Sequence, residues 1–507
     1  MTTQQIGIWA TLGVYLLLII GVGIWTGRKS KSVADFTVGG RQAGAWLSAL
    51  SYGTAYFSAV MFVGYAGGTG LSYGLWGVLA GLGNAVFGSY FAWKVLARRT
   101  RDVSARLKLK TMPQYFEMRY GSKALKLFTC IVIFIFMVPY SASVYKGLAS
   151  VAEVLLGIDD TICMIIIAVL AALLLVLGGY LAQARADFVQ GIIMMFGVTL
   201  LIIFVVRCEK VGGLAGVMEY AKTAEGLPKL NATQWVGLMA TVLMTSFGTW
   251  GLPQMVQKYF GIKDDKQAKR GILISTVFAV LVAGGGYFIG SLCHRFYTMD
   301  EINSFGTPAQ DYIVPNMLKD SHLPTVLLGV VLMLLIAASV STLCSITLTA
   351  SSTLSMDFIR SLRPMEDKKL RNLTKILCVL FIVVSYVVAN TKTPILDMMS
   401  YSWGIISGSF LAPYVLALYY KKLTKGGAWC GVMAGFLTAL IPAVSKILTL
   451  CGVQAERVVY LSKQGPLFAC IAMLLSIALC FVGSALFKSK KDETTQEFFY
   501  KAIVEKE

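Results

Sequence analysis

AASVSTLCSITLTASSTLSMD, residues 337–357, follows the apolar run VLLGVVLMLLI (326–336) without a break, so it continues a membrane-spanning helix. It carries hydroxyls at Ser339, Ser341, Thr342, Ser345, Thr347, Thr349, Ser351, Ser352 and Thr353. In a helix of about 3.6 residues per turn, Ser341, Ser345, Thr349 and Ser352 fall on one face. Hydroxyl oxygens in a dry helix are neutral, hard ligands of the kind a sodium ion accepts in place of its water shell. Small polar residues also let helices pack closely and hydrogen-bond across. Spacing alone leaves both readings open.

The surroundings are a membrane protein. Of 507 residues, 56% are hydrophobic and 14% charged, against about 25% charged in a soluble protein. Apolar runs long enough to cross a bilayer recur throughout, and we count about thirteen. They lie near 6–26, 47–71, 75–96, 125–156, 161–180, 185–206, 233–257, 271–294, 324–357, 372–390, 396–419, 427–450 and 465–487. The first lacks a basic leader and reads as a retained helix. Arg28, Lys29 and Lys31 follow it, which predicts an outside N-terminus. The loops then predicted inside, 98–123, 258–270, 360–371, 421–425 and the tail, hold most of the 45 Lys and Arg. The net charge of +19 is therefore topological and argues against a nucleic-acid partner.

Other chemistry finds little support. The ten cysteines form no CxxC pair, His294 and His322 are the only histidines, and no GxxxxGK[ST] phosphate loop is present. No nucleophile–base pair marks an enzyme. Residues 262–271 read as a solvated loop, and 488–507 as a short surface helix or a disordered tail. The sequon at Asn231 reads as chance.

Two spans are predicted to break. The second, SALSYGTAYFSAVMFVGYAGGTGLSYG, carries Gly53, Gly64, Gly67, Gly68 and Gly70, an unusual load for a helix interior. The seventh contains FGTWGLPQ (247–254), where Pro253 removes a backbone donor. Irregular backbone at membrane depth is tolerated where it lines a cavity, and broken helices hold ligands in inverted-repeat transporters. Spans two to six and seven to eleven make five plus five. Asp187 could ligate a cation or pair with Arg185. Lys146, about ten residues from the outer end of its span and so about 15 Å deep, could meet an anion or pair with Glu153. Asp397 reads as a helix-start residue.

Together, FTVGGR (36–41), the glycine-rich second span, GGYLAQARADFVQG, WGLPQMVQKYFGIKDDKQAKRG and the 337–357 stretch resemble the sodium:solute symporter family. That family includes proline, pantothenate, sialic acid and sodium/glucose transporters. The resemblance runs over nearly the whole chain. It implies an all-α polytopic protein with about thirteen transmembrane helices around a LeuT-type five-plus-five core, N-terminus outside and C-terminus inside. The expected division is 1–46 first helix and inner loop, 47–206 and 233–420 the two repeats, 427–487 the last two helices, all within one domain 1–487, and 488–507 a cytoplasmic tail. The implied protein is a multi-pass plasma-membrane symporter, placed in the bacterial inner membrane, that needs no partner subunit and works as a monomer.

The family's common sodium site maps onto Thr54, Phe57, Ala338, Ser341 and Thr342. A second sodium site found in some relatives maps onto Asp187, Ser341 and Ser345. Its third hydroxyl position is Cys344, a weak ligand for a hard ion, so one and two sodium ions both stay open. Tyr56 stands where proline carriers have Asp and sugar carriers Asn. Tyr56, Ser58, Met61, Trp76, Tyr140, Lys146, Trp250 and Gln254 are the expected cavity lining. Aromatic walls with one cation suit a small amino acid or organic carboxylate. The reading is sodium-coupled uptake by alternating access; proton coupling through Asp187 and a transporter-like membrane sensor are its rivals.

Overall fold

The computed structural model describes residues 3–27, 39–305, 308–391, 393–488 and 495–501. Arg28, Lys29, Lys31 and the first half of FTVGGR lie outside them. Among the described residues the protein is helical throughout, with one isolated bridge between Ala43 and Ile262. All thirteen stretches picked out from the sequence are helical over most of their length. Nine helices among the described residues are long and apolar enough to cross a membrane, and a bent pair makes a tenth.

In chain order, α1 is Thr3–Gly27 and α2 is Ala45–Tyr56. One π turn, Met61–Tyr65, leads into α3, Ala66–Tyr73. After a sharp turn at Gly74, α4 runs over 78–106. Then come α5, Lys123–Leu156, α6, 160–178, and α7, Gly179–Arg207. The bent pair is α8, Ala232–Gly251, and α9, Pro253–Phe260. The remainder are α10, Asp265–Ser291, α11, Thr325–Leu362, α12, Asp367–Ala389, α13, Ile395–Tyr419, α14, Lys425–Leu450, and α15, Gly465–Leu486.

The chain turns where the backbone requires glycine. Gly74 (φ 55°, ψ −136°) separates α3 from α4, and Gly179 (φ 56°, ψ −145°) separates α6 from α7. L-residues rarely adopt these angles. A Cβ at Gly74 would also lie 2.5 Å from the Glu225 carbonyl oxygen.

Apolar residues fill the core and also cover outer faces, while many hydroxyls are buried among them. In α11 and α13, 78% and 89% of the most apolar stretch is buried, against 33% in α14. The hydroxyls of α11 are among the buried groups. On α12, Ile376, Val379, Leu380, Val383, Val384 and Val387 are exposed at helical spacing. That is a lipid-facing stripe where a soluble helix would be charged.

The second span breaks, but not at its glycines. α2 ends at Tyr56, Phe57 is extended (φ −104°, ψ 104°), and the chain resumes helix only beyond Ser58. The glycines mark close approaches instead: a Cβ at Gly53 would lie 2.4 Å from the Phe278 ring, and one at Gly70 only 2.0 Å from the Gly290 carbonyl oxygen. The seventh span breaks as expected: Leu252 is extended and α8 and α9 diverge by 48°. Asn231 of the sequon caps α8 in a reciprocal box with Gln234.

The basic loops gather at one end. Arg41 donates to Ser104 Oγ (3.0 Å) and to the Phe260 carbonyl (3.1 Å). Arg101 pairs with Asp265 at 2.7 Å, and Arg119 donates to the Leu423 carbonyl. Gln114 and Thr111 both donate to Asp357. Residues 495–501 of the tail are helical, with Tyr500 Oη donating to the Ala417 carbonyl at 2.6 Å.

Candidate ion and solute sites

The residues onto which the common sodium site maps lie where α2 unwinds beside α11. The last turn of α2 frees carbonyls that no following helical turn uses. Thr342 Oγ1 donates to the Thr54 carbonyl oxygen at 3.0 Å, and both residues are fully buried. One carbonyl and one hydroxyl thus face each other across two helices, the donor chemistry a sodium ion takes. Ala338 and Ser341 lie within the preceding turn of α11, also fully buried, and Phe57 is the extended residue at the break. Ser341 Oγ donates its proton to Asp187 Oδ1 at 2.6 Å, which leaves its lone pairs for a cation.

Asp187 is fully buried on α7, and its partner is not Arg185. Arg185 lies over the Trp25 ring, 4.5 Å from its centroid, and reaches Thr26 Oγ1. Instead the Lys258 ammonium of α9 lies 3.1 Å from Asp187 Oδ2. Ser51 Oγ donates to the same oxygen and accepts from Lys258 at 2.8 Å. Gln183, with its amide oxygen turned to the donors, accepts from Lys258 Nζ at 3.2 Å and from the Ser345 N–H at 3.1 Å. The Tyr180 ring faces the ammonium with its centroid at 5.3 Å. The Cys344 thiol turns to the Ala171 carbonyl, 3.8 Å away on α6. Next to Lys258, Gln257 accepts from Thr349 Oγ1 at 2.6 Å. The hydroxyl face of α11 therefore meets α7 through Ser341 and Ser345, and α9 through Thr349.

Lys258 is the residue the sequence reading did not single out. Its place in the 258–270 stretch assigned it to a basic inner loop, whereas it is 2% exposed within α9. Two signals were present. Lys258 is flanked by Met255, Val256, Tyr259 and Phe260, all apolar, and Tyr180, Gln183, Asp187 and Gln190 form a polar stripe at i, i+3, i+7, i+10 on α7.

The expected cavity residues divide. Tyr56 stacks on Phe57 (centroids 4.1 Å) and lies 6.1 Å from Trp403, which Tyr140 meets edge-on at 5.6 Å. Tyr56 Oη donates to the Thr245 carbonyl at 2.6 Å. Ser58 and Met61 are joined at the break by a backbone bond of 3.0 Å. Gln254 is buried with neither amide atom bonded among the described residues. These residues surround the two helix breaks. Trp250 donates to the Phe87 carbonyl at 2.9 Å and packs on Phe247. Trp76 donates to the Pro228 carbonyl and packs on Trp235. Lys146 donates to the carbonyls of Thr391 and Thr393 and, with Glu153, Asp160 and Asp311, lines a separate cavity of about 270 Å³. Glu153 accepts from Tyr312 at 3.0 Å. Trp403, which ties Tyr56 to Tyr140, carried no sequence signal beyond its place in an apolar span.

Comparison with known proteins gives the same architecture. Residues 36–435 match the model of the "Sodium:solute symporter family". The chain is 28% identical to the high-affinity proline transporter PutP of Bacillus subtilis, covering 94% of this chain and 98% of that protein. It is 27% identical to the osmoregulated proline transporter OpuE of the same organism, over 86% and 89%. A Staphylococcus aureus sodium/proline symporter is 27% identical over 87% of each. Among solved structures, a substrate-bound, outward-open Na+-coupled sialic acid symporter superposes with a TM-score of 0.76 at 16% identity, over 95% of this chain and 98% of that one. MhsT in complex with L-phenylalanine superposes with 0.56 at 12% identity, over 87% and 99%. With a match over most of its length, two broken helices and an oxygen-lined contact between α2 and α11, the chain belongs to the sodium:solute symporter family.

Proposed function

We propose that this sodium-coupled importer carries a small amino acid or organic carboxylate, with sodium held between Thr54 and Thr342 and the solute beside the two helix breaks. The observation that carries the reading is the Thr342–Thr54 contact across the end of α2. A sodium ion there would replace one hydrogen bond with two ion–oxygen contacts and tie α2 to α11. That cross-link favours the form whose pocket accepts solute, so each ligand raises the affinity for the other. The proline carriers among its relatives favour an amino acid. The aromatic group of Tyr56, Phe57, Tyr140 and Trp403 suits its apolar part. The helix restart beyond Ser58 offers its positive end to a carboxylate. The protein works as a monomer with no nucleic-acid partner.

One sodium supplies enough energy. A unit charge falling through about 100 mV releases about 2.3 kcal/mol, and a tenfold gradient adds about 1.4 kcal/mol. Together they sustain solute accumulation of several hundredfold, on the order of 500.

The test is thermal stability of the detergent-purified protein against a panel of amino acids, carboxylates and sugars, in sodium and in choline. A shift for one amino acid or carboxylate that appears only in sodium supports the proposal. A shift of equal size in choline contradicts it.

A further inference from the structure

We propose that the Lys258 ammonium permanently occupies the second cation position at Asp187, so that the protein binds one sodium ion and carries its second cation as a side chain. The first observation is the fate of the three residues expected to hold a second sodium. Asp187 Oδ2 is taken by Lys258, Asp187 Oδ1 by Ser341, and Ser345 by Gln183. The second is the saturation of the ammonium itself. Lys has three protons to donate, and three oxygens surround Nζ: Ser51 Oγ at 2.8 Å, Asp187 Oδ2 at 3.1 Å and Gln183 Oε1 at 3.2 Å. The Tyr180 ring closes a further side.

The charge argument agrees. A carboxylate that is fully buried needs a counter-cation, because an isolated buried charge is strongly disfavoured. Sodium and an ammonium each bring a single positive charge and prefer oxygen partners. Placed on α9, the ammonium contacts α2 and α7 directly and meets α11 through the Asp187–Ser341 and Gln183–Ser345 bonds, so it supports the α7–α11 contact a bound ion would make. Unlike an ion it cannot dissociate into either solution, so it holds the helices without adding to the driving force. Cys344 fits the same account: with no ion to ligate, the third hydroxyl position is free to be a thiol facing α6.

The inference rests on the sodium reading only for the count in the unmodified protein. The test is equilibrium binding of radioactive 22Na+ to purified protein, without solute, as ions per chain. Lys258→Ala and Lys258→Met uncover Asp187 and are expected to bind one sodium more than the unmodified chain, with stability that rises in sodium and falls in choline. Asp187→Asn/Lys258→Met, which removes both charges, is expected to return to the unmodified count. No gain in either single variant overturns the proposal. So does failure of both single variants to fold in sodium while the double variant folds. The sodium reading fails separately, if the unmodified chain binds none or if Thr342→Ala leaves its count and affinity unchanged; a gain of one ion on removing Lys258 would still stand.

Discussion

At Thr342 one hydroxyl spans the gap between α11 and the unwound end of α2, and its oxygen is the group a cation would use there. Thr342→Ala is expected to raise the sodium concentration for half-maximal stabilisation or uptake at least tenfold, a loss of about 1.4 kcal/mol. Unchanged sodium dependence would remove Thr342 from the site. Ser341 plays a different part, because its proton goes to Asp187. Ser341→Ala leaves a buried carboxylate one hydrogen bond short and is expected to lower stability by about 1–3 kcal/mol, besides raising the sodium requirement. Asp187→Asn alone strands the Lys258 ammonium and is expected to lower stability by about 3–5 kcal/mol. Melting curves of Asp187→Asn, Lys258→Met and the double variant, each in sodium, check this: the double should be the most stable of the three. Thr54, Phe57 and Thr342 could be proposed from the sequence because a site of backbone carbonyls and hydroxyls needs no rare residue, and the structure brings Thr54 and Thr342 together. Lys258 was not, because a lysine beside IKDDKQAKR is counted with the solvated charges, and burial is a tertiary property no local pattern reports.

Between elements, contact is set by glycines on both sides of a crossing. Gly70 and Gly290 let α3 and α10 touch backbone to backbone, since a Cβ at Gly290 would lie 2.2 Å from the Ala66 carbonyl oxygen. No flexible side chain is there to yield. Gly70→Val and Gly290→Val are each expected to destabilise by about 2 kcal/mol or more, read as lower melting temperature and poorer expression. A neutral outcome would contradict the crossing. Here the sequence pointed to the right segment for a partly different reason: the glycine load suggested unwinding, while the unwound residues, Phe57 and Ser58, include no glycine. The α8–α9 break was legible because proline acts locally, through its missing N–H. The rotation of each helix was harder to read. Trp76, Lys146 and Trp250 lie on the expected helices but donate to the carbonyls of Pro228, of Thr391 and Thr393, and of Phe87 respectively. An error of one or two residues in which face points inward rotates a side chain by about 100° or more around the helix.

Over the whole molecule, charge sorts the two ends. The end opposite the basic loops holds Lys146, Glu153, Asp160 and Asp311 around one cavity. Asp311 Oδ2 accepts from the Ile395 N–H at 3.1 Å and so caps the start of α13. Burial pushes its carboxyl from 3.8 up to about 7, with the Ile395 N–H and Lys146 pulling it back. The folded protein therefore holds a proton that the unfolded chain releases near pH 4. Stability from this group is fully present below about pH 4 and is lost as pH rises to about 7. Asp311→Asn keeps an acceptor for Ile395 and removes the titration. It is expected to be more stable than the unmodified protein above about pH 7, with the difference shrinking as pH falls toward 4. Parallel melting curves for the two proteins across that range would contradict this. At this scale the sequence was most informative, because hydropathy and charge sorting are imposed by the bilayer on every segment at once.

The most direct measurement is a sodium titration of thermal stability for the unmodified protein and Thr342→Ala, with potassium and choline as controls. We expect a saturable stabilisation specific to sodium, about 1.4 kcal/mol at ten times the dissociation constant, displaced to higher concentration or lost in Thr342→Ala. Equal curves for sodium and potassium, or for the two proteins, would contradict a sodium site between α2 and α11.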